Sequence, residues 1–174
     1  MSTDNLVLGP PVVEAIDVHH HYGDGPQRVD VLYDINMQVR EGEVVIVTGP
    51  SGSGKTTLLT ILGTMRRPSE GRLRLLGLGD KADAWPDELS GGQQQRVAIA
   101  RVMIGLPDLI IADEPTSALD RVSGRVVVDQ LKDLAMRAKC AVVLSTHDER
   151  IFDVATRRLH IEDGRCFEVP IHYH

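Results

Sequence analysis

The sequence lacks any apolar run long enough to cross a bilayer. No stretch approaches the roughly 18 consecutive apolar residues that a membrane-spanning helix needs. The first residues also lack a basic start, because they carry Asp4 and Glu14, so we expect no signal peptide. These absences predict a cytoplasmic chain, which would lie at the inner face of the plasma membrane only when a membrane partner binds it.

Basic charge, aromatic residues and cysteines are also scarce. The 174 residues carry a formal net charge of −6 and only 3% aromatic residues. Nucleic-acid-binding domains favour a basic face on which aromatic rings stack bases, so the composition argues against such a partner. Cys140 and Cys166 lie far apart without metal-ligand spacing, and Cys140, beside an apolar run, is predicted to be a small core residue. The chain length is most economically one domain over residues 1–174.

The most informative stretch is present at residues 45–57. Three β-branched residues at 45–47 predict a short buried strand. Residues 49–56 fit the pattern G-x-x-x-x-G-K-[S/T], in which backbone N–H groups face a phosphate chain, the lysine reaches the outer phosphates and the last hydroxyl ligates Mg²⁺. A helix predicted over 56–64 would point its positive end at the same anion. The predicted phosphate-binding residues are Gly49, Pro50, Ser51, Gly52, Ser53, Gly54, Lys55, Thr56 and Thr57.

Histidines and a tyrosine precede this loop. Three consecutive histidines, His19–His21, lie in a predicted strand, where neighbouring side chains point to opposite faces. We therefore do not expect them to converge on one metal ion. Tyr22 follows, and its ring could fold back to stack on an adenine, although taken alone it is an ordinary tyrosine at a strand end.

Polar residues also mark the starts and ends of later predicted elements. Ser90 caps a predicted helix that begins with Gly91 and Gly92, whose bare N–H groups either bind an anion or simply start the helix. Asp113 and Glu114 end an apolar strand that starts at residue 109. Beside a phosphate loop, these carboxylates are placed to hold Mg²⁺ and to polarise an attacking water.

The overall pattern predicts an α/β fold, with a largely parallel core sheet flanked by helices and an antiparallel strand layer near the N-terminus. The remaining predicted strands cover residues 12–20, 29–39, 72–76, 141–144, 158–161 and 166–169, with a helix over 122–138. His147 follows the strand at 141–144. It either contacts a γ-phosphate or only caps the next helix, and by itself the residue does not decide between the two.

Together the motifs resemble those of the ATP-binding subunits of ABC transporters. They run in the order phosphate loop, Leu89-Ser90-Gly91-Gly92-Gln93, Ala112-Asp113-Glu114-Pro115, Ser117-Ala118-Leu119-Asp120 and Ser145-Thr146-His147-Asp148. The Leu-Ser-Gly-Gly-Gln motif is the most discriminating, because many NTPases share the phosphate loop. The resemblance covers residues 12 to about 166 and is strongest to exporters of the macrolide-export, lipoprotein-release and DevA-like branch.

The resemblance implies which residues bind ATP. Tyr22 would stack on adenine, and the loop Gly49–Thr57 would hold the phosphates. Because family members enclose two ATP molecules between two head-to-tail subunits, Ser90–Gly92 would contact the nucleotide of a second copy. Asp120 would lie at the same dimer junction.

The resemblance also implies which residues support hydrolysis. Thr56 and Asp113 would serve Mg²⁺, and Lys55 would neutralise the outer phosphates. Glu114 would be the catalytic base for attack by water, and His147 would sense the γ-phosphate. Donors supplied by the second copy would complete the neutralisation of the γ-phosphoryl group, which one phosphate loop achieves only in part.

The sequence departs from the family pattern between Lys55 and Leu89, which only 33 residues separate. Family members have several dozen more residues there, including a strand that ends in a glutamine and most of a helical subdomain. This sequence has no glutamine between the two positions, and we place the junction near Gly77 and Leu78. The glutamine would help to hold Mg²⁺ and the attacking water, and the helices would form the groove for the transporter's membrane subunit. We therefore expect nucleotide binding to survive and hydrolysis and transport coupling to be impaired.

Three functions are compatible with these observations. The first, which we predict, is an ATP-binding subunit of an ABC exporter that pairs with a second copy and drives a separate membrane permease, with ATP and Mg²⁺ as cofactors. The second is a nucleotide-binding module with little or no hydrolysis and no transport coupling. The third, a soluble ABC-type ATPase acting on nucleic acid or ribosomes, is disfavoured by the acidic charge.

Overall fold

The computed structural model describes residues 8–76 and 108–171. The strands are β1 Pro11–Tyr22, β2 Val29–Arg40, β3 Val44–Thr48, β4 Glu70–Leu75, β5 Leu109–Asp113, β6 Ala141–Ser145, β7 Arg157–Glu162 and β8 Arg165–Val169. The helices are α1 Lys55–Leu62 and α2 Arg121–Ala138, with short 3₁₀ helices at Gly25–Gln27 and Glu149–Val154.

The central sheet has five strands in the order β5-β6-β3-β7-β8. Strand β3 lies in the middle and runs parallel to β6 and β7, β5 runs parallel to β6, and only the β7–β8 pair is antiparallel. The inner strands are continuous β-branched and aliphatic runs because both faces of this sheet are covered. Val45, Ile46 and Val47 are fully buried, which confirms the predicted core strand.

The second sheet is antiparallel, in the order β2-β1-β4, and confirms the predicted strand layer near the N-terminus. Strand β1 is its central strand, with Ala15 opposite Met37 on β2 and Leu73 on β4. Strand β1 ends at Tyr22, so the register of this sheet decides where that ring lies.

Alternate residues of β3 face two separate hydrophobic clusters. Val45 and Val47 pack with α1 residues such as Leu58 and with the apolar face of the second sheet. Ile46 packs instead with a cluster that includes Val128 of α2. Helix and sheet layers therefore cover both faces of the central sheet, and the phosphate loop follows the C-terminal end of β3.

The predicted element bounds need only small corrections. Helix α1 ends at Leu62 rather than residue 64, because Gly63 leaves the helix and Thr64 has a φ of 59°. Helix α2 begins one residue earlier than predicted, directly after Asp120, and Cys140 is fully buried as expected.

Three further points concern metals, membranes and the part of the sequence outside the described ranges. Among residues 8–76 and 108–171, no group of three or more His, Cys, Asp or Glu side chains is arranged to hold a metal ion. In the same ranges no helix is both long and apolar enough to span a bilayer. The predictions for Ser90, Gly91 and Gly92, and for Gly77 and Leu78, lie outside the described residues.

Candidate nucleotide-binding site

The phosphate loop connects the C-terminal end of β3 to the first turn of α1. Gly49, Gly52 and Gly54 have φ values of 147°, 79° and 103°, a region that glycine adopts without strain. At two of these positions a side chain would also collide with neighbouring atoms. A Cβ at Gly49 would lie 2.2 Å from the carbonyl oxygen of Ile161, and one at Gly54 would lie 2.8 Å from the Leu32 side chain. The glycines therefore shape the loop that carries the N–H groups.

Lys55 folds back across this loop. Its Nζ donates hydrogen bonds of 2.8 Å to the carbonyl oxygens of both Gly49 and Pro50. The ammonium group therefore sits beside the loop backbone, and a phosphate oxygen would compete for the same three protons. A cavity of about 240 Å³ adjoins the loop and is lined by Val31, Gly52, Gly54, Lys55, Thr56 and Thr57.

Ser53 supplies an independent sign that the loop is built for an anion. Its side chain is buried, and within the described part of the chain its Oγ has no hydrogen-bond partner. A buried hydroxyl without a partner destabilises the fold, because it has lost its hydrogen bonds to water and no protein group replaces them. A phosphate oxygen in the loop would supply the missing acceptor.

Thr56 and Asp113 lie side by side next to the loop. The Thr56 Oγ1 hydroxyl donates a 2.7 Å hydrogen bond to Asp113 Oδ2. The contact joins residues 57 positions apart in sequence. It forms because β5 and β3 lie on either side of β6 and end at the same edge of the sheet. The hydroxyl and carboxylate predicted to serve Mg²⁺ are therefore brought together.

Glu114 and His147 form the next layer of the site. His147 Nδ1 lies 2.8 Å from Glu114 Oε1, which is hydrogen-bonding distance. Glu114 is positioned by its backbone, which has a φ of 50° and donates its N–H to the carbonyl and Oγ oxygens of Ser145. The Glu114 side chain is 26% exposed and that of His147 is 79% exposed, so the carboxylate is held while the imidazole is open to solvent.

Ser145 is a site residue that the sequence reasoning did not select. It ends β6 opposite Asp113, and its hydroxyl donates to Asp113 Oδ1 while accepting the N–H of Glu114. The side chain is completely buried, so these contacts are shielded from water. A serine that ends a strand otherwise made of apolar residues was the available signal, but only the β5–β6 register shows which carboxylate it meets.

Tyr22 lies at the side of the site, at the end of β1. Its hydroxyl shares a 3.1 Å hydrogen bond with Thr57 Oγ1 on the first turn of α1. The ring is 39% exposed, so part of it is accessible to a ligand. The predicted adenine-stacking residue is therefore tied directly to the phosphate loop.

Asp120 has a defined local role. Its carboxylate accepts hydrogen bonds from the N–H groups of Val122 and Ser123 and from the Ser123 hydroxyl, which caps α2. These bonds lower the pKa of Asp120. The capping explains why an aspartate precedes the helix, and the predicted place of Asp120 at a dimer junction stays a prediction.

Comparison with known proteins places these motifs in a family. A family model described as ABC transporter matches residues 32–80 and 73–117. The macrolide export ATP-binding/permease protein MacB 1 of Aeromonas hydrophila is 34% identical over 88% of this chain and 34% of its own length. The chain thus spans about a third of the length of the macrolide-export relatives that it matches.

Shorter relatives match along nearly their whole length. An uncharacterized ABC transporter ATP-binding protein of Methanocaldococcus jannaschii, MJ1508, is 30% identical over 91% of this chain and 99% of its own. The putative hemin import ATP-binding protein HrtA of Staphylococcus aureus is 31% identical over 86% and 96%, respectively. The alignment with MJ1508 extends over 222 positions, so it includes residues of the relative that have no counterpart in this 174-residue chain.

Solved structures agree with the sequence relatives. The dimeric post-hydrolysis state of the ATP-binding cassette MJ0796, bound to ADP and Pi, matches 93% of this chain and 100% of its own with a TM-score of 0.74 at 27% identity. A second dimeric structure of MJ0796 matches with a TM-score of 0.73. The chain therefore belongs to the ABC transporter family of ATP-binding proteins, and macrolide exporters are among its relatives.

Proposed function

We propose that this chain binds ATP with Mg²⁺ and hydrolyses it between two copies of itself, and that hydrolysis drives export through a separate membrane permease. One observation carries the proposal. Thr56, Asp113, Glu114, Ser145 and His147 form one connected group beside a glycine-shaped phosphate loop. That group contains an oxygen pair for a hard cation, a held carboxylate and an imidazole, which are the parts that ATP hydrolysis needs.

Nucleotide binding uses the loop and its lysine. The N–H groups of the loop and the start of α1 attract the phosphates, and Ser53 Oγ offers another donor. Lys55 would leave the Gly49 and Pro50 carbonyl oxygens to pair with the outer phosphates. Nucleotide binding must therefore break two hydrogen bonds of the empty loop, which weakens binding. Pairing of the ammonium charge with phosphate offsets this loss.

The residues beside the loop fit Mg²⁺. Thr56 Oγ1 and Asp113 Oδ2 are only 2.7 Å apart, and hydroxyl and carboxylate oxygens are the donors that this ion prefers. When bound, the ion would neutralise charge on the β- and γ-phosphates. Ser145 holds the other oxygen of Asp113, so Oδ2, which accepts the Thr56 hydroxyl in this structure, is the oxygen that would serve the ion.

The hydrolytic step rests on Glu114. Its carboxylate would accept a proton from a water that attacks the γ-phosphorus, and the bond from that phosphorus to the bridging oxygen of ADP would break. His147 holds Glu114 Oε1 in the structure, and its exposure leaves it free to turn to a γ-phosphate oxygen. Glu114 directly follows β5 and His147 lies just beyond β6, and these two strands are neighbours in the sheet.

The proposal also includes the pairing of two copies and the binding of a membrane permease. The related cassette MJ0796 is dimeric in its solved structures, which supports pairing of two copies here. We propose that Ser90–Gly92 of each copy face the nucleotide of the other and that Asp120 lies at the junction. We further propose a cytoplasmic location at the inner face of the plasma membrane, where the permease binds. The combined ATP-binding and permease names of the macrolide-export relatives support such a partner.

A second function is favoured by one specific observation. Only 33 residues separate Lys55 from Leu89, and the alignment with MJ1508 contains positions that this chain lacks. If the missing positions include the glutamine strand and the helices expected there, the chain would bind ATP without turnover and without coupling to transport. This alternative shares every binding residue with the first and differs only in hydrolysis.

The deciding experiment measures Mg²⁺-dependent ATP hydrolysis by the purified chain, with Glu114→Gln as its control. Turnover in the wild type that the substitution removes, together with an ATP-dependent dimer of the variant in light scattering, supports the first function. Clear ATP binding without turnover by the wild type supports the second. Turnover that persists in Glu114→Gln would contradict the role of Glu114.

A further inference from the structure

Tyr22 is enclosed by two side chains that the proposed function does not use. The Arg66 guanidinium lies over the ring, with its central carbon 4.9 Å from the ring centroid. The His20 ring meets Tyr22 edge-on, with centroids 4.9 Å apart and an interplanar angle of 88°. With the bond from its hydroxyl to Thr57, the tyrosine is therefore held from three directions.

Arg66 and Thr57 contact Tyr22 from different ends of helix α1. Arg66 follows the C-terminal end of α1, whereas the phosphate loop precedes the N-terminal end. Its backbone N–H donates to the carbonyl oxygen of Thr60, which anchors this segment to the last turns of the helix. Thr57 holds the tyrosine hydroxyl at the opposite, loop end of the helix. The arginine that covers one face of the ring and the threonine that holds its hydroxyl therefore come from opposite ends of α1.

We propose that Arg66 is a positioning residue that covers one face of Tyr22, so that the ring offers its opposite face to the base of the bound nucleotide. This inference rests on the proposed nucleotide binding and deepens it. A cation over one face is attracted by the ring's negative quadrupole and restrains the ring. A restrained ring binds a base with less loss of conformational freedom than a mobile one.

His20 and Ser69 keep this arrangement fixed to the sheet. His20 is buried, and its Nδ1 lies 3.3 Å from Ser69 Oγ. Ser69 in turn accepts the N–H of His21 through its hydroxyl and donates its own N–H to the carbonyl of His19. The end of β1 and the segment that carries Arg66 therefore form one hydrogen-bonded unit, which keeps Arg66 and Tyr22 in register.

The test separates binding of the base from binding of the phosphates. Isothermal titration calorimetry would compare ADP with inorganic tripolyphosphate, which has no base, for wild type, Arg66→Ala, Arg66→Lys and Arg66→Gln. We expect Arg66→Ala and Arg66→Gln to weaken ADP binding by about two- to fivefold, the range of an exposed cation–π contact, and to leave tripolyphosphate unchanged. Arg66→Lys keeps the cation and should lose less.

Two controls make the result specific. Arg72→Ala removes the same charge from an exposed position on β4 and should leave ADP affinity unchanged. In a Tyr22→Ala background, Arg66→Ala should have no further effect on ADP, because the ring through which it acts is gone.

Three outcomes would overturn the inference. Equal weakening of ADP and tripolyphosphate would show that Arg66 acts on the phosphates. Tighter ADP binding by Arg66→Ala would show that the arginine occupies the face that the base needs. Additive losses from Tyr22→Ala and Arg66→Ala would show independent actions. Failure of the wild type to bind either ligand would instead contradict the proposed function itself, which keeps the two tests distinct.

Discussion

Two regions of this molecule would bind opposite ends of the same nucleotide, and they are built by different physical means. The hydrolytic region, defined as Thr56, Asp113, Glu114, Ser145 and His147, is a chain of short polar contacts at the ends of parallel strands. The base region, defined as His20, Tyr22 and Arg66, is held mainly by ring and cation contacts at the end of an antiparallel strand.

The difference lies in how strongly each region depends on a single contact. In the hydrolytic region, each buried or charged group that loses its partner is left unsatisfied, so one substitution has a large effect. In the base region, the cation and ring contacts of Tyr22 are partly exposed, so each contributes little alone. We therefore expect substitutions in the first region to abolish steps and those in the second to tune affinity.

The largest effect is expected from Lys55→Ala, which tests the loop that both regions share. The change removes a charge-assisted contact to the phosphates, so nucleotide and tripolyphosphate binding should weaken by about a hundredfold. Calorimetry with both ligands measures it. Lys132→Ala, which removes a lysine from α2, is the matched control and should bind normally. Unchanged binding by Lys55→Ala would rule out the phosphate-loop assignment.

Ser145→Ala should have the next largest effect and tests whether the hydrolytic region depends on its buried hydroxyl. The change leaves Asp113 Oδ1 without a donor and the Glu114 N–H with only one acceptor, which we expect to lower turnover by about ten- to a hundredfold. Because the hydroxyl does not touch the loop, affinity for tripolyphosphate should not change.

Thr60→Val is the matched control for the loss of a hydroxyl. Its Oγ1 donates to the carbonyl of Thr57 within α1, and this bond does not involve the hydrolytic region, so turnover should be close to that of the wild type. A calorimetric titration with Mg²⁺ in the presence of ADP adds a readout other than activity. If Ser145→Ala keeps both its turnover and its Mg²⁺ affinity, the positioning role of Ser145 is wrong.

A smaller effect is expected from Asp120→Ala, which separates capping from a contact between subunits. The loss of three hydrogen bonds at the start of α2 should lower the free energy of unfolding measurably. Asp120→Asn keeps the cap and should lose much less. Chemical denaturation of both variants measures the capping role, and light scattering with ATP measures the contact between subunits. A dimer defect in the asparagine variant at normal stability would support the proposed junction, and full stability in Asp120→Ala would contradict the cap.

The smallest effect concerns the pH dependence of the base region. Burial, followed by the nearby Arg66 and His21, lowers the pKa of His20 below its ordinary value of 6.5. The unfolded chain therefore takes up a proton at a higher pH than the folded one, and this part of the stability is present above about pH 6.5 and lost as the pH falls toward the folded pKa.

Thermal unfolding of wild type and His20→Gln between pH 8 and pH 5 checks this sign. The melting temperature of the wild type should fall further on acidification than that of the variant, because glutamine does not titrate. If the melting temperatures of the two proteins fall equally on acidification, the fold does not lower the pKa of His20.

Much of the hydrolytic region could be predicted from local patterns. The glycine spacing and the Lys-Thr pair predicted the loop, and an apolar strand ending in Asp113 and Glu114 predicted the carboxylates beside it. These patterns are local because each feature lies at the end of its own strand, and parallel strands bring their carboxyl ends to one edge. Ser145 was missed because its importance depends on being opposite Asp113.

The base region could be predicted only in part. Tyr22 was selected, but Arg66, 44 positions later, follows a turn that gives no sign of a ring above it. The contact arises because β4 pairs with β1, which brings His19 opposite Glu70 and so places the end of α1 beside Tyr22. Likewise, the fold of Lys55 onto its own loop is not visible in a motif that specifies residue types alone.

The sequence by itself determined the strand and helix pattern, the phosphate loop and the chemical types of the proposed catalytic groups, because periodicity, glycine spacing and strand-end carboxylates act over a few residues. The tertiary structure decided which of those groups meet. It set Thr56 against Asp113, Ser145 between two carboxylate residues and Arg66 over Tyr22. Contacts of this kind depend on strand order and register, which are set by packing energies summed over the whole core.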